Sequence, residues 1–233
     1  MQKLKSDIQK TILDAAEYLF IRKGYKNTAM REIAAKADVG LSNIYNYFPN
    51  KDSLFRYILQ PVVDELYTML YNHDVSKANL EMFTSHDYQK KEIELYMALA
   101  GRYRKQLKLL LFHAQGSSLG NFREDYTNEM TRVIDIFFKD LKTKYPHLNI
   151  QVSNFFVHLN TAWLFTLLEE LVMHHIKKDD MKIFISEYIA FETAGWMTER
   201  QLLLRRRSKF APHASVNLLR HSIWFAQLCP AKR

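Results

Sequence analysis

At 233 residues with a formal net charge of +8, the chain can bury a sizeable core and is basic enough to suit a polyanionic partner. Six glycines and five prolines favour long helices over an all-β fold, and the single cysteine, Cys229, excludes an intrachain disulfide. No N-terminal apolar run leads to a small-residue cleavage site and no stretch of about 18 uncharged apolar residues occurs, so neither a signal peptide nor a membrane span is expected and a cytoplasmic location is the simplest expectation.

The charge is unevenly spread. Residues 1–50 carry a net +3, residues 51–199 a net −3, and residues 200–233 a net +8 with no acid at all. A basic N-terminal region suits phosphate contact, whereas a slightly acidic middle argues against nucleic acid wrapping the whole molecule.

In chain order, residues 6–24 predict a first helix, with Ile8, Ile12, Ala15, Ala16, Leu19 and Phe20 at three- and four-residue steps. Thr28 is a candidate N-cap for a second helix through Arg31–Ala37, whose Ile33, Ala34 and Ala37 share one side. Asp38-Val39-Gly40 supplies a turn in which Gly40 suits the bend. A third helix is expected over Leu41–Tyr47, anchored by Val39, Ile44 and Phe48 and stopped by Pro49. Leu41, Ser42, Asn43, Tyr45, Asn46 and Tyr47 then face outward. That face lacks the Glu/Lys mix of a plain surface helix and carries amides, hydroxyls and phenols, groups that reach base edges and phosphate oxygens. A helical hairpin inside a larger core is the other reading of these residues.

From Lys51 a fourth helix runs to about Asn72, with Pro61 predicting a kink or break near Leu59-Gln60. Residues 73–87 read as a loop. Helices follow at about 88–100, 103–115 and 121–144, punctuated by Gly101, Gly116 and Gly120, with a break at Tyr145-Pro146-His147. Residues 151–177 form a long helix that is apolar on more than one face and so must be covered on both sides. A last helix runs from after Asp180 to about Arg205. The tail 206–233, with Arg205-Arg206-Arg207 and Lys209, reads as a disordered appendage, a packed helix or a basic contact segment.

Enzyme machinery is not visible. There is no Gly-rich phosphate loop, no GxSxG and no HExxH, and no cofactor or metal is expected. His113 and His158 with His174 or Glu169 lack a fixed ligand spacing. Helical bundles do host small molecules between helices. Phe112, His113, Tyr126, Phe137, Phe155, His158, Asn160 and Trp163 are candidate pocket residues, with ordinary core packing as the alternative.

Ile12–Phe20, Gly24-Tyr25, Thr28, Ile33-Ala34, Ile44-Tyr45-Asn46-Tyr47-Phe48 and Lys51, taken in order, resemble the N-terminal domain of the TetR family of bacterial transcriptional regulators. The resemblance implies an all-α fold of about nine helices. Residues 1–50 would be a three-helix helix-turn-helix DNA-binding domain and 51–205 a helical ligand-binding and dimerisation domain. It implies a regulator, most simply a repressor, that binds a palindromic operator as a homodimer through its last two helices and is released by a small-molecule inducer. A helical ligand-binding or adaptor protein without operator reading is the alternative. Thr28, Tyr45 and Lys51 would bind phosphates, and Arg31, Leu41, Ser42, Asn43, Asn46 and Tyr47 would face the groove. Gly40 departs from the family, which often has Ser there, and this removes a side-chain cap from the third helix.

Overall fold

The computed structural model describes residues 5–71, 85–144, 146 and 152–205, the side chains of 196–205 excepted. Of the loop expected over 73–87, residues 73–84 lie outside the described residues, as does the basic tail 206–233. Within them the chain is all-α, with nine helices and no strand: α1 (Lys5–Lys23), α2 (Met30–Ala37), α3 (Leu41–Tyr45), α4 (Lys51–Tyr71), α5 (His86–Arg102), α6 (Arg104–Phe112), α7 (Phe122–Lys144), α8 (Asn154–Met173) and α9 (Lys178–Arg205).

The apolar stripe of α1 is buried as its spacing predicts, with Ile12, Ala16 and Phe20 fully covered. The helix stops at Gly24, whose φ of 76° is a conformation L side chains resist. Phe20, Tyr25 and Phe55 then stack around one another, with ring centroids 4.9 Å apart for Phe20–Phe55 and 5.0 Å for Tyr25–Phe55. This trio joins α1 to α4.

Helix α4 runs on through Pro61, so of the kink or break expected there the break does not occur. Leu59 and Val62, on either side of Gln60-Pro61, are both fully buried, and their packing offsets the hydrogen bond that proline cannot donate. Helix α5 starts earlier than its pattern suggests because Ser85 caps it, its hydroxyl accepting from the Tyr88 amide. Gly101 does not punctuate the chain. It lies inside α5, and the break falls at Tyr103.

Helix α8 ends at Met173, four residues before the expected end. The Arg104 guanidinium meets the carbonyls of Leu171, Val172 and His174 at 2.6–2.8 Å. A fixed cation thus satisfies carbonyls left open by the last turn. Helix α8 has the length and apolarity of a membrane-spanning helix. One side of it is nonetheless core, since Leu164, Phe165, Leu168 and Leu171 are buried.

Helix α7 packs on α8, α5 on α9, and α6 lies between α4 and α8. One continuous cluster of buried side chains runs from Ile12 to Ile189. It crosses the position between 50 and 51 where the sequence suggests a domain boundary. At its centre Tyr126 is fully buried and its hydroxyl donates to the Leu66 carbonyl at 3.0 Å.

Gly101 is exposed and helical, and beyond its own helix backbone nothing lies within 4 Å of where a Cβ would stand. Gly101→Ala is expected to stabilise the fold by about 1 kcal/mol. Thermal unfolding should show a rise of roughly 2–4 °C.

Candidate nucleic-acid interface

Helices α2 and α3 form the expected helix-turn-helix, but the turn works differently from its sequence reading. The residue in the left-handed conformation is Asp38, at φ 52° and ψ 47°. Its amide donates to the Ala35 carbonyl and that of Val39 to the Ala34 carbonyl, closing the end of α2. Gly40 instead adopts φ −63°, open to any residue, and a Cβ there would meet only Ser42 Oγ at 3.8 Å. Gly40 occupies the N-cap of α3 and supplies no side-chain cap, as its departure from the family pattern implies.

The N-cap of α2 is Ala29, not Thr28. Glu32 reaches back to accept from the Ala29 amide at 3.1 Å. Its carboxyl is held below the usual range by the Lys23 ammonium and by that amide. Thr28 is 2% exposed, and its hydroxyl donates to the Gly24 carbonyl at 2.8 Å. That hydroxyl serves the α1–α2 joint and is turned away from solvent, which corrects the cap assigned to it.

Helix α3 spans Leu41–Tyr45, two residues shorter than expected, because Asn46 becomes its C-cap. Ile44 and Phe48 are buried anchors, as expected, and Val39 packs partly against the same core. Ser42, Tyr45 and Asn46 are exposed, Asn43 is half-buried, and Arg31 on α2 is exposed beside them. Leu41 and Tyr47 are half-buried, and each packs partly against the core. Tyr47 leans on α1, its hydroxyl donating to the Lys5 carbonyl at 3.2 Å.

Lys26, Asn27, Thr28, Arg31, Tyr45 and Lys51 line one recess beside α3, together with Ala29, Met30 and Leu41. Three cations, an amide and a phenol thus surround a space that an oxyanion fits. Sequence reasoning missed Lys26 and Asn27, which carry no helical pattern. Their one signal is a Lys-Asn pair directly ahead of Thr28.

Lys51 has two duties. Its ammonium donates to the carbonyls of Tyr25 and Thr28, both at 2.8 Å, and lies 4.3 Å from the centroid of the Tyr25 ring. Partial burial lowers its pKa. The neighbouring Asp52 accepts from the Ser118 amide at 2.8 Å, and the Tyr25 amide donates to the His113 carbonyl at 2.9 Å. The turn between α6 and α7 therefore grips the base of the helix-turn-helix.

The eight candidate pocket residues are not brought together. Phe112 and His113 end α6 near Gly24, and Tyr126 and Phe137 are buried in packing. Phe155 is 74% exposed with its ring stacked on His158, Asn160 donates to its own helix, and Trp163 is 46% exposed. Aromatic spacing read as a pocket is split here between a core and an outer face. Among the described residues, no group of three or more His, Cys, Asp or Glu could hold a metal ion.

Residues 12–58 match the bacterial regulatory proteins of the tetR family. The HTH-type transcriptional regulator YhgD of Bacillus subtilis is 31% identical over 135 residues, covering 57% of this chain and 66% of its own length, just under two thirds. The HTH-type transcriptional repressor KstR2 of Rhodococcus jostii is 24% identical over 165 residues, covering 69% of this chain and 78% of its own. Among solved structures, a TetR-like regulator from Rhodococcus sp. RHA1 superposes with a TM-score of 0.54 at 17% identity, over 83% of this chain and 100% of that one. A TetR-family regulator from Syntrophomonas wolfei gives 0.54 at 19% identity, over 82% and 97%. At such identities these two speak for the fold.

Lys51→Met keeps the stem and removes the ammonium, leaving the Tyr25 and Thr28 carbonyls unpaired. Denaturant unfolding without DNA should show a loss of about 1–3 kcal/mol.

Proposed function

We propose that the chain is a cytoplasmic repressor of the TetR family of bacterial transcriptional regulators, which reads a palindromic operator as a homodimer and leaves it when a small molecule binds the body. The observation that carries the DNA half is the recess in which Lys26, Arg31 and Lys51 meet Tyr45, next to exposed Ser42 and Asn46. The cations and phenol take backbone phosphates, which fixes the register of the short helix on the duplex. Asn46 and Asn43 then supply amides suited to bidentate contact with adenine. Thr28 contributes by shaping the wall of the recess and Lys51 by holding it, with a donor to spare for phosphate. Leu41 adds an apolar edge to the recess, and Tyr47 braces the helix against α1.

The dimer half rests on apolar surface. On α8, Phe155, Phe156, Leu159 and Trp163 are exposed, and on α9 Ile183, Phe184 and Phe191, the last at 62%. Exposed apolar side chains repeated along both helices mark a contact with another protein. A second copy fits best, because two-fold pairing places two reading heads against a two-fold operator. KstR2, itself a repressor, is the relative that supports that direction of control.

Binding of purified protein to DNA flanking its own gene tests the head. Arg31→Ala should weaken binding to every sequence and reduce the slope of log affinity against log salt by about 1. Asn46→Ala should instead change the preferred base in a binding-site selection. An unaltered salt slope together with an unaltered selected sequence defeats this placement of the interface.

Phe155→Glu combined with Trp163→Glu should convert a two-chain particle to a single chain in sedimentation equilibrium, with helical content retained. A wild-type protein that sediments as one chain at micromolar concentration would remove the dimer from this reading.

A further inference from the structure

Helices α5 and α9 face each other across a group of polar side chains that operator reading does not use. Tyr88, Glu92 and Tyr96 follow at four-residue steps and share one face of α5. Tyr188 and Glu192 do the same on α9. The Tyr188 hydroxyl donates to Glu192 Oε1 at 2.8 Å, and the Tyr96 and Tyr188 rings meet edge to face with centroids 6.1 Å apart. Gln89 Nε2 donates to Thr193 Oγ1 at 3.2 Å and closes one flank.

Tyr96 forms the floor of this group at 4% exposure, while Tyr88, Glu92, Tyr188 and Glu192 around it are half-buried. Its hydroxyl has no hydrogen-bond partner among the described residues. The equally buried Tyr126 does have one, the Leu66 carbonyl. A buried hydroxyl left open beside two carboxylates is costly in an empty protein and useful in an occupied one.

The charges point the same way. Burial, with Glu192 adding to it, pushes Glu92 up to about 7. Burial also raises Glu192, against the hydrogen bond from Tyr188. Tyr96 is pushed well above its ordinary value by burial first, then by Glu192, Tyr188, Glu92 and Tyr126. Among the described residues, the titratable groups that interact with Glu92 are Tyr88 and Tyr96 on its own helix, Glu192 on α9 and Tyr126 on α7, with Tyr188 joined to the group through Glu192. None of these described groups is basic.

We propose that Glu92, Glu192 and the Tyr96 hydroxyl, walled by the rings of Tyr88 and Tyr188, bind the ammonium of a primary amine carried on an apolar body, and that such an amine is the inducing ligand. The three N–H donors of an ammonium match three acceptors, two carboxylates and one phenol oxygen. The phenol rings add attraction to a cation that is also shielded from water. Two carboxylates are too few for a divalent metal. The inducing role rests on the regulator reading above; the binding site does not.

Titration calorimetry of the full chain without DNA tests the site with phenethylammonium chloride, using phenethyl alcohol as the neutral counterpart. The ammonium should bind at least about tenfold more tightly than the alcohol, a difference of about 1.4 kcal/mol. Its affinity should climb with pH up to about 7 and level off above, because Glu92 must ionise to receive it. Glu92→Gln and Tyr96→Phe should each weaken it severalfold while leaving the fold intact. Glu92→Gln alone should raise the unfolding temperature at pH 8 and not at pH 5. A carboxyl whose folded pKa is raised contributes stability below its unfolded value and loses it as pH rises through about 7. Equal binding of amine and alcohol, no binding of either at about 10 mM, or unchanged affinity in both variants overturns the site. Amine binding that leaves a protein–DNA complex intact upholds the site and overturns the inducing role. Absence of DNA binding in amine-free protein overturns the regulator reading and leaves the site standing.

Discussion

The Lys51 ammonium is the point on which the rest of the molecule turns. It is the first residue of α4, yet its hydrogen bonds reach back to Tyr25 and Thr28, on the segment between α1 and α2. One side chain therefore sets how the helix-turn-helix sits on the helix that leads into the body. The Phe20–Tyr25–Phe55 trio surrounds that contact with apolar area. Neither part suffices alone. Aromatic packing has little directional preference, and two hydrogen bonds without a dry surrounding would be exchanged for water.

From this joint two paths run into the body. One is α4 itself, unbroken through Pro61. The other is the turn after α6, which holds Asp52 by the Ser118 amide and Tyr25 by the His113 carbonyl. The Lys105–Glu17 pair at 3.6 Å adds an exposed and weak contact between α6 and α1. A ligand in the body can shift the heads only by favouring a different arrangement of these connections. The α5–α9 group lies well away from the joint in the chain, and Tyr126 links them: its neighbours include Glu92 on one side and Leu66 of α4 on the other.

Much of this was legible in the sequence, for identifiable reasons. The stripes of α1 and α4 and the anchors Ile44 and Phe48 follow from spacing alone, because local periodicity and burial agree there. What failed depended on partners distant in sequence. Thr28 looked like a cap until the Gly24 carbonyl claimed its hydroxyl, and Tyr47 looked outward until Lys5 came alongside. Gly40 attracted the turn's strain on composition, whereas Asp38 carries it. Pro61 is overridden by the packing of its neighbours. Aromatics on α8 read as a pocket because a helix apolar all round does not say which side faces its own core. Glu92 sits among charged neighbours, as a solvated helix position would, and Glu192 is a lone acid in a helix pattern; only the pairing of helices about a hundred residues apart covers them.

The grip of the α6–α7 turn on the N-terminal helices bears on how the chain is made. Synthesis delivers α1 to α4 first, but Tyr25 and Asp52 acquire their partners only when His113 and Ser118 have left the ribosome. The reading head thus stays incomplete until residue 118 has emerged, and the greasy outer surface of α8 and α9 appears later still. A nascent molecule therefore cannot close its interior before α8 and α9 emerge, because Leu164, Phe165, Ile185 and Ile189 belong to the same buried cluster, and the outer apolar faces of these helices arrive together with the inner ones that complete the core.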